Sequence, residues 1–113
     1  MTAARAASYR WLAQRASAAV LALCVVVHLC TILYATRQGL SAAALLGRAH
    51  ASALWPAFYA VFVLAVAVHA PLGLRVVLDE WSGLRGRVVD ALLGVFALTL
   101  LVGGLRAVTV LVR

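Results

Sequence analysis

Long apolar stretches separated by short polar and arginine-bearing connections organise this chain. They predict helices over residues 12–36, 54–79 and 87–112. Each is long enough to cross a hydrocarbon core of about 30 Å, which takes about 20 helical residues. Alternation of apolar and polar residues at strand length is absent, so the pattern speaks against a barrel. In lipid a backbone amide must find its partner inside its own segment, and here only a helix supplies one. The first stretch is too long for the apolar core of a secretory signal, and two further spans follow it. It therefore reads as a retained helix. The expected fold is an all-α membrane protein, with residues 1–113 forming one domain of three transmembrane helices.

Composition agrees with this pattern and narrows what the chain can do. Of 113 residues 66% are hydrophobic, with a mean hydropathy of +1.08, whereas a soluble domain is roughly half apolar. All ten basic residues are arginine and stand against three acids, for a net charge of +7. They flank the helices and form no aromatic-interleaved surface that could track a phosphate backbone, so nucleic acid is not an expected partner. Their distribution instead speaks of topology. Arg5, Arg10, Arg15, Arg75, Arg85 and Arg87 fall on one side, and Arg37, Arg48, Arg106 and Arg113 on the other. Six against four predicts a cytoplasmic N-terminus. Three spans consume about 75 residues, leaving no room here for a nucleotide site or a soluble catalytic domain. Such a segment anchors a partner, conducts something across lipid, or holds a cofactor within it.

The connections have features of their own. Residues 2–14 read as an amphipathic lead-in, with Tyr9 and Trp11 at interface depth. The small residues between Arg37 and Ser52 predict a short interfacial helix. Pro56 fits the first turn of the second span, where its missing amide would lack a partner anyway. Gly94, Gly103 and Gly104 in the third span predict close approach of a neighbouring helix. Cys24 and Cys30, six apart on one helix, turn to different faces and are not expected to pair.

His28 and His69 lie inside spans, where ionisable residues are costly and usually mark a function. His69 shares a helix side with Phe62, Ala65, Val66, Gly73 and Val76. Gly73, one turn on, opens a slot for a flat macrocycle, since no side chain blocks the ring edge. Pro71 between them cannot donate to the Ala67 carbonyl and is expected to bend the helix. Arg75 follows at the boundary, where a guanidinium can meet a propionate or a phospholipid, or simply snorkel. Histidine ligation is how proteins hold b-type haem iron. Covalent c-type attachment is excluded because Cys-x-x-Cys-His does not occur.

The run His69-Ala-Pro-Leu-Gly73-Leu-Arg75-Val-Val-Leu-Asp79-Glu80-Trp81 resembles the second helix of the cytochrome b556 anchor of succinate dehydrogenase and fumarate reductase. That family carries a histidine, a glycine four residues on, an arginine after one more, and an acid at the helix end. Gln14-Arg15-Ala16-Ser17-Ala18 resembles the His-Arg-x-Ser-Gly box opening the family's first helix, with Gln14 and Ala18 departing from it. The resemblance implies haem b with His69 as axial ligand to its iron. It also implies a quinone pocket, with ubiquinone or menaquinone as substrate, bordered by Arg15 and Ser17 and, through the companion anchor's pattern, Glu80 and Trp81. Ser17 has a second reading as a back-bond to the carbonyl four residues earlier. The implied partners are a flavoprotein, an iron–sulfur subunit and often a second small membrane anchor. The implied setting is the bacterial inner membrane and the tricarboxylic acid cycle, with the chain a non-catalytic subunit passing electrons to or from quinone.

Other readings stay open on the sequence alone. A haem-free anchor of the same complex is disfavoured by the two histidines. A small exporter would place a carboxylate within a span, yet Asp79, Glu80 and Asp90 sit at helix ends. An assembly protein is the remaining alternative. His28 is either a structural histidine bonded to a neighbouring carbonyl or the ligand of a second haem. With the boundary placed at Gln14 and Val77, His28 lies about 21 Å deep and His69 about 12 Å. That offset of about 9 Å is too large for both to hold one iron.

Overall fold

The computed structural model describes residues 2–113. Helix α1 (Ala3–Arg37), α2 (Ala42–His50), α3 (Leu54–Val77) and α4 (Arg87–Thr109) follow in order, with a π-turn over Leu78–Ser82 extending α3. Strands are absent among the described residues. Helices α1 and α4, and α3 with its extension, are each long and apolar enough to cross a membrane. The expected three-span fold is present, and α2 is a short helix in the first connection, where one was expected.

The lead-in is not a separate element. No glycine or proline interrupts residues 3–37, so α1 runs through Tyr9 and Trp11 as one helix of 35 residues. The Thr2 hydroxyl accepts from the Arg5 amide at its start. At its end Gly39 takes φ +64°. The Leu40 amide then donates to the Ala35 carbonyl at 3.0 Å and the Gly39 amide to Thr36 at 3.2 Å. This pair of bonds closes the last turn around a left-handed glycine and directs the chain into α2. Gly83, also at φ +64°, ends the π-turn in the same conformation. Pro71 does not end its helix, which continues past it to Val77.

Helix α3 is the centre, packing against α1 on one side and α4 on the other. Large apolar residues such as Leu23, Leu54, Leu92 and Leu98 are exposed, and no large side chain among the described residues is fully buried. That surface suits lipid rather than water. Both packed pairs are antiparallel. Ser17 meets His69, Gln14 lies against Gly73 and His28 meets Tyr59, which fixes the α1–α3 register. Across α3 and α4, Val63 faces Gly104 and Arg75 pairs with Asp90 at 2.6 Å. Of the glycines expected to allow close approach, only Gly104 does so. A Cβ there would fall 2.5 Å from Val63 Cγ1, whereas Gly94 and Gly103 have nothing within 4 Å. Cys24 is buried, Cys30 exposed, and both are free.

Candidate functional site between α1 and α3

The α1–α3 register brings Gln14, Ser17, His69 and Gly73 together near the end that carries the three carboxylates. Ser17 is the most buried polar residue, 7% exposed. Its hydroxyl donates to the Gln14 carbonyl at 3.1 Å, one residue nearer than the back-bond expected from sequence. With the serine proton on that carbonyl, which can only accept, the contact of 3.3 Å between Ser17 Oγ and His69 Nδ1 is a bond donated by the imidazole. In that tautomer Nε2 carries the free lone pair, and it makes no hydrogen bond among the described residues. An Nδ1–H donated to a neighbour is how proteins orient a metal-ligating histidine.

Gly73 behaves differently from its expected role as an open slot. The Gln14 amide reaches across, its Nε2 lying 3.3 Å from where a Cβ at position 73 would stand. Gln14 Oε1 is buried and has no hydrogen-bond partner among the described residues. A buried acceptor left so costs about 1–3 kcal/mol, so the site is one donor short. The sequence signal for Gln14 was its place in the box, and what it touches was not readable there.

The other named residues lie around this centre. Arg75 pairs with Asp90, with both side chains part-exposed. Its five donors leave room for a second acid beside the carboxylate. The Arg15 guanidinium lies 5.3 Å from the Trp11 ring on its own helix. Asp79 pairs with Arg85. Glu80 is exposed, and Trp81 is 86% exposed. Neither has a side-chain hydrogen bond to the Ser17–His69 pair.

His28 stands apart from this group. Its Nδ1 lies 2.9 Å from the Tyr59 hydroxyl, so its partner is a phenol rather than the carbonyl expected of a structural histidine. Its ring also meets Phe62 edge-on at 5.7 Å. Tyr59 and His69 are ten residues apart on α3, so the two histidines lie about 15 Å apart along the helices. The sequence estimate of about 9 Å was short because it set Gln14 level with Val77. Gln14 in fact packs beside Gly73, one turn deeper. No group of three or more histidine, cysteine or acidic side chains suited to a metal ion occurs among the described residues.

A family model matches residues 1–105 of this chain. The chain belongs to the succinate dehydrogenase/fumarate reductase transmembrane subunit family. No curated protein and no solved structure matches it. Membership makes it a multi-pass membrane subunit that associates with other subunits of such a complex. The match spans α1, α2, α3 and most of α4, so the whole described site lies within the family's own segment.

Proposed function

We propose that this subunit is the haem b-bearing anchor of a succinate:quinone oxidoreductase, with its N-terminus in the cytoplasm of a bacterial cell. The observation that carries the reading is the Gln14–Ser17–His69 relay, which leaves His69 Nε2 free for iron within a membrane span. Haem, when bound, takes up and releases one electron at a time between an iron–sulfur subunit and quinone. His69 would be one axial ligand, oriented by Ser17, and Arg75 has donors left for a propionate. His28 is too far along the helices to share that iron, so any second ligand would come from another chain. A flavoprotein, an iron–sulfur protein and a second small anchor are the proposed partners.

Ser17 and Gln14 are also proposed to serve the quinone. The unpartnered Gln14 Oε1 is an acceptor suited to the hydroxyl of a quinol, which donates, as a quinone carbonyl cannot. Arg15 adds a cation at the same boundary, and Glu80 and Trp81 border the site from the α3–α4 turn. Ser17→Ala is expected to lower quinone-linked turnover about 10- to 100-fold, the range for a lost orienting contact. Activity with a dye acceptor at the flavoprotein should survive. Equal loss of both activities would make Ser17 an assembly residue instead.

One observation favours a haem-free anchor, namely the Gln14 amide lying against Gly73. The side chain is unbranched and can swing aside, so it does not outweigh the free imidazole. Family membership favours an anchor over an exporter. The reduced-minus-oxidised spectrum of the purified complex decides. A b-type α-band with one haem per flavin, unchanged in His28→Leu, is the expected result. Absence of the band defeats the haem, and loss of one of two haems in His28→Leu would make His28 a ligand.

A further inference from the structure

At the end of the molecule opposite Asp79, Glu80 and Asp90, α1 and α4 stand apart on α3, and α2 lies across the gap. The space enclosed is a cavity of about 590 Å³, within the range of about 300–1,000 Å³ typical of small-molecule sites. Its walls are mostly apolar and come from all four helices, with Ile32 of α1, Leu45 and Leu46 of α2, Val63 of α3, and Ala107 and Val108 of α4 among them. His28 and Tyr59, which both line it, are bonded to each other, and the Thr31 hydroxyl is bonded to the Val27 carbonyl of its own helix. One charged side chain lines it, that of Arg48, which is exposed on α2.

The charges around this mouth have no counterpart in the chain. The acids are Asp79, Glu80 and Asp90, all at the far end, where Asp79 and Asp90 pair with Arg85 and Arg75. Arg48 of α2, Arg37 at the end of α1 and Arg113 beyond α4 form no ion pair with a side-chain carboxylate among the described residues. The His50 Nε2 contact with the Val110 carbonyl at 2.9 Å draws the end of α4 against α2 and holds this basic rim together. An apolar cavity at the lipid boundary with an uncompensated guanidinium at its edge fits one chemistry, an acyl chain with an anionic headgroup. Arginine holds phosphate through two parallel N–H bonds, and the chain fills the space below.

We infer that this cavity is a binding site for an anionic phospholipid of the leaflet on the α2 side, with the phosphate at Arg48 and one acyl chain between α1 and α4. The site is separate from the His69 group and does not depend on whether haem is bound there. The test incubates the detergent-purified assembly with equal amounts of phosphatidylglycerol and phosphatidylcholine carrying the same acyl chains. Lipid retained after gel filtration is then counted by mass spectrometry. Phosphatidylglycerol should be retained in preference. Arg48→Gln should reduce that preference about fivefold, the scale of one arginine at an anionic surface, while Arg48→Lys keeps most of it. Ala107→Phe, which fills the cavity without touching the charge, should lower retention of phosphatidylglycerol. Equal retention of the two lipids by the unaltered protein overturns the inference, as does an unchanged preference in Arg48→Gln. Displacement of phosphatidylglycerol by a short-chain quinone overturns it too, and would assign the cavity to quinone.

Discussion

Replacing His69 with alanine should abolish the b-type α-band of the assembled complex. The loss should be complete, because the iron would keep at most a single ligand from another chain, and the level of α3 at His69 offers no other imidazole. His28 cannot substitute, being paired with Tyr59 about 15 Å away along the bundle. Folding should be spared. The substitution removes one part-buried bond to Ser17, worth about 1 kcal/mol, and Ser17 keeps its bond to the Gln14 carbonyl. The measurement is the reduced-minus-oxidised spectrum, with co-purification of the partner subunits as control. An unchanged band in an intact complex would sink the assignment of His69.

Gly104→Ala should be the most damaging small substitution in the bundle. The new methyl carbon would stand 2.5 and 2.8 Å from the two γ-carbons of Val63 and 3.2 Å from its β-carbon. Valine cannot yield by rotating a flexible end, since its branch point is part of the contact. Helices α3 and α4 must separate, at about 1–3 kcal/mol, the usual cost of overpacking. Thermal unfolding of the purified protein should show a lower midpoint. Gly103→Ala and Gly94→Ala, with open space at the added carbon, should leave it unchanged. Val63→Ala combined with Gly104→Ala should recover most of the loss. A single substitution as harmless as Gly103→Ala would show that the helices do not meet there.

Residue pattern alone determined the three spans, the short helix α2 and the placing of His69, Gly73 and Arg75 together on the second long helix. Those properties depend on local rules: apolar length against bilayer thickness, glycine where the backbone turns left-handed, and the cost of a buried imidazole. The spacing of His69, Gly73 and Arg75 was readable for the same reason, because one helix turn fixes it. What lies opposite those residues was not readable. Nothing local says that Gln14 packs beside Gly73 rather than Val77, since sliding α1 by one turn leaves its apolar pattern nearly intact in lipid. The helix–helix register decides it, through the contacts of Ser17, Gln14 and His28 with α3. That register orients His69, fills the glycine slot with an amide and sends His28 to a phenol. It is also the tertiary structure that singles out Gly104 from Gly94 and Gly103, because close approach needs two surfaces and the sequence of one helix specifies only its own.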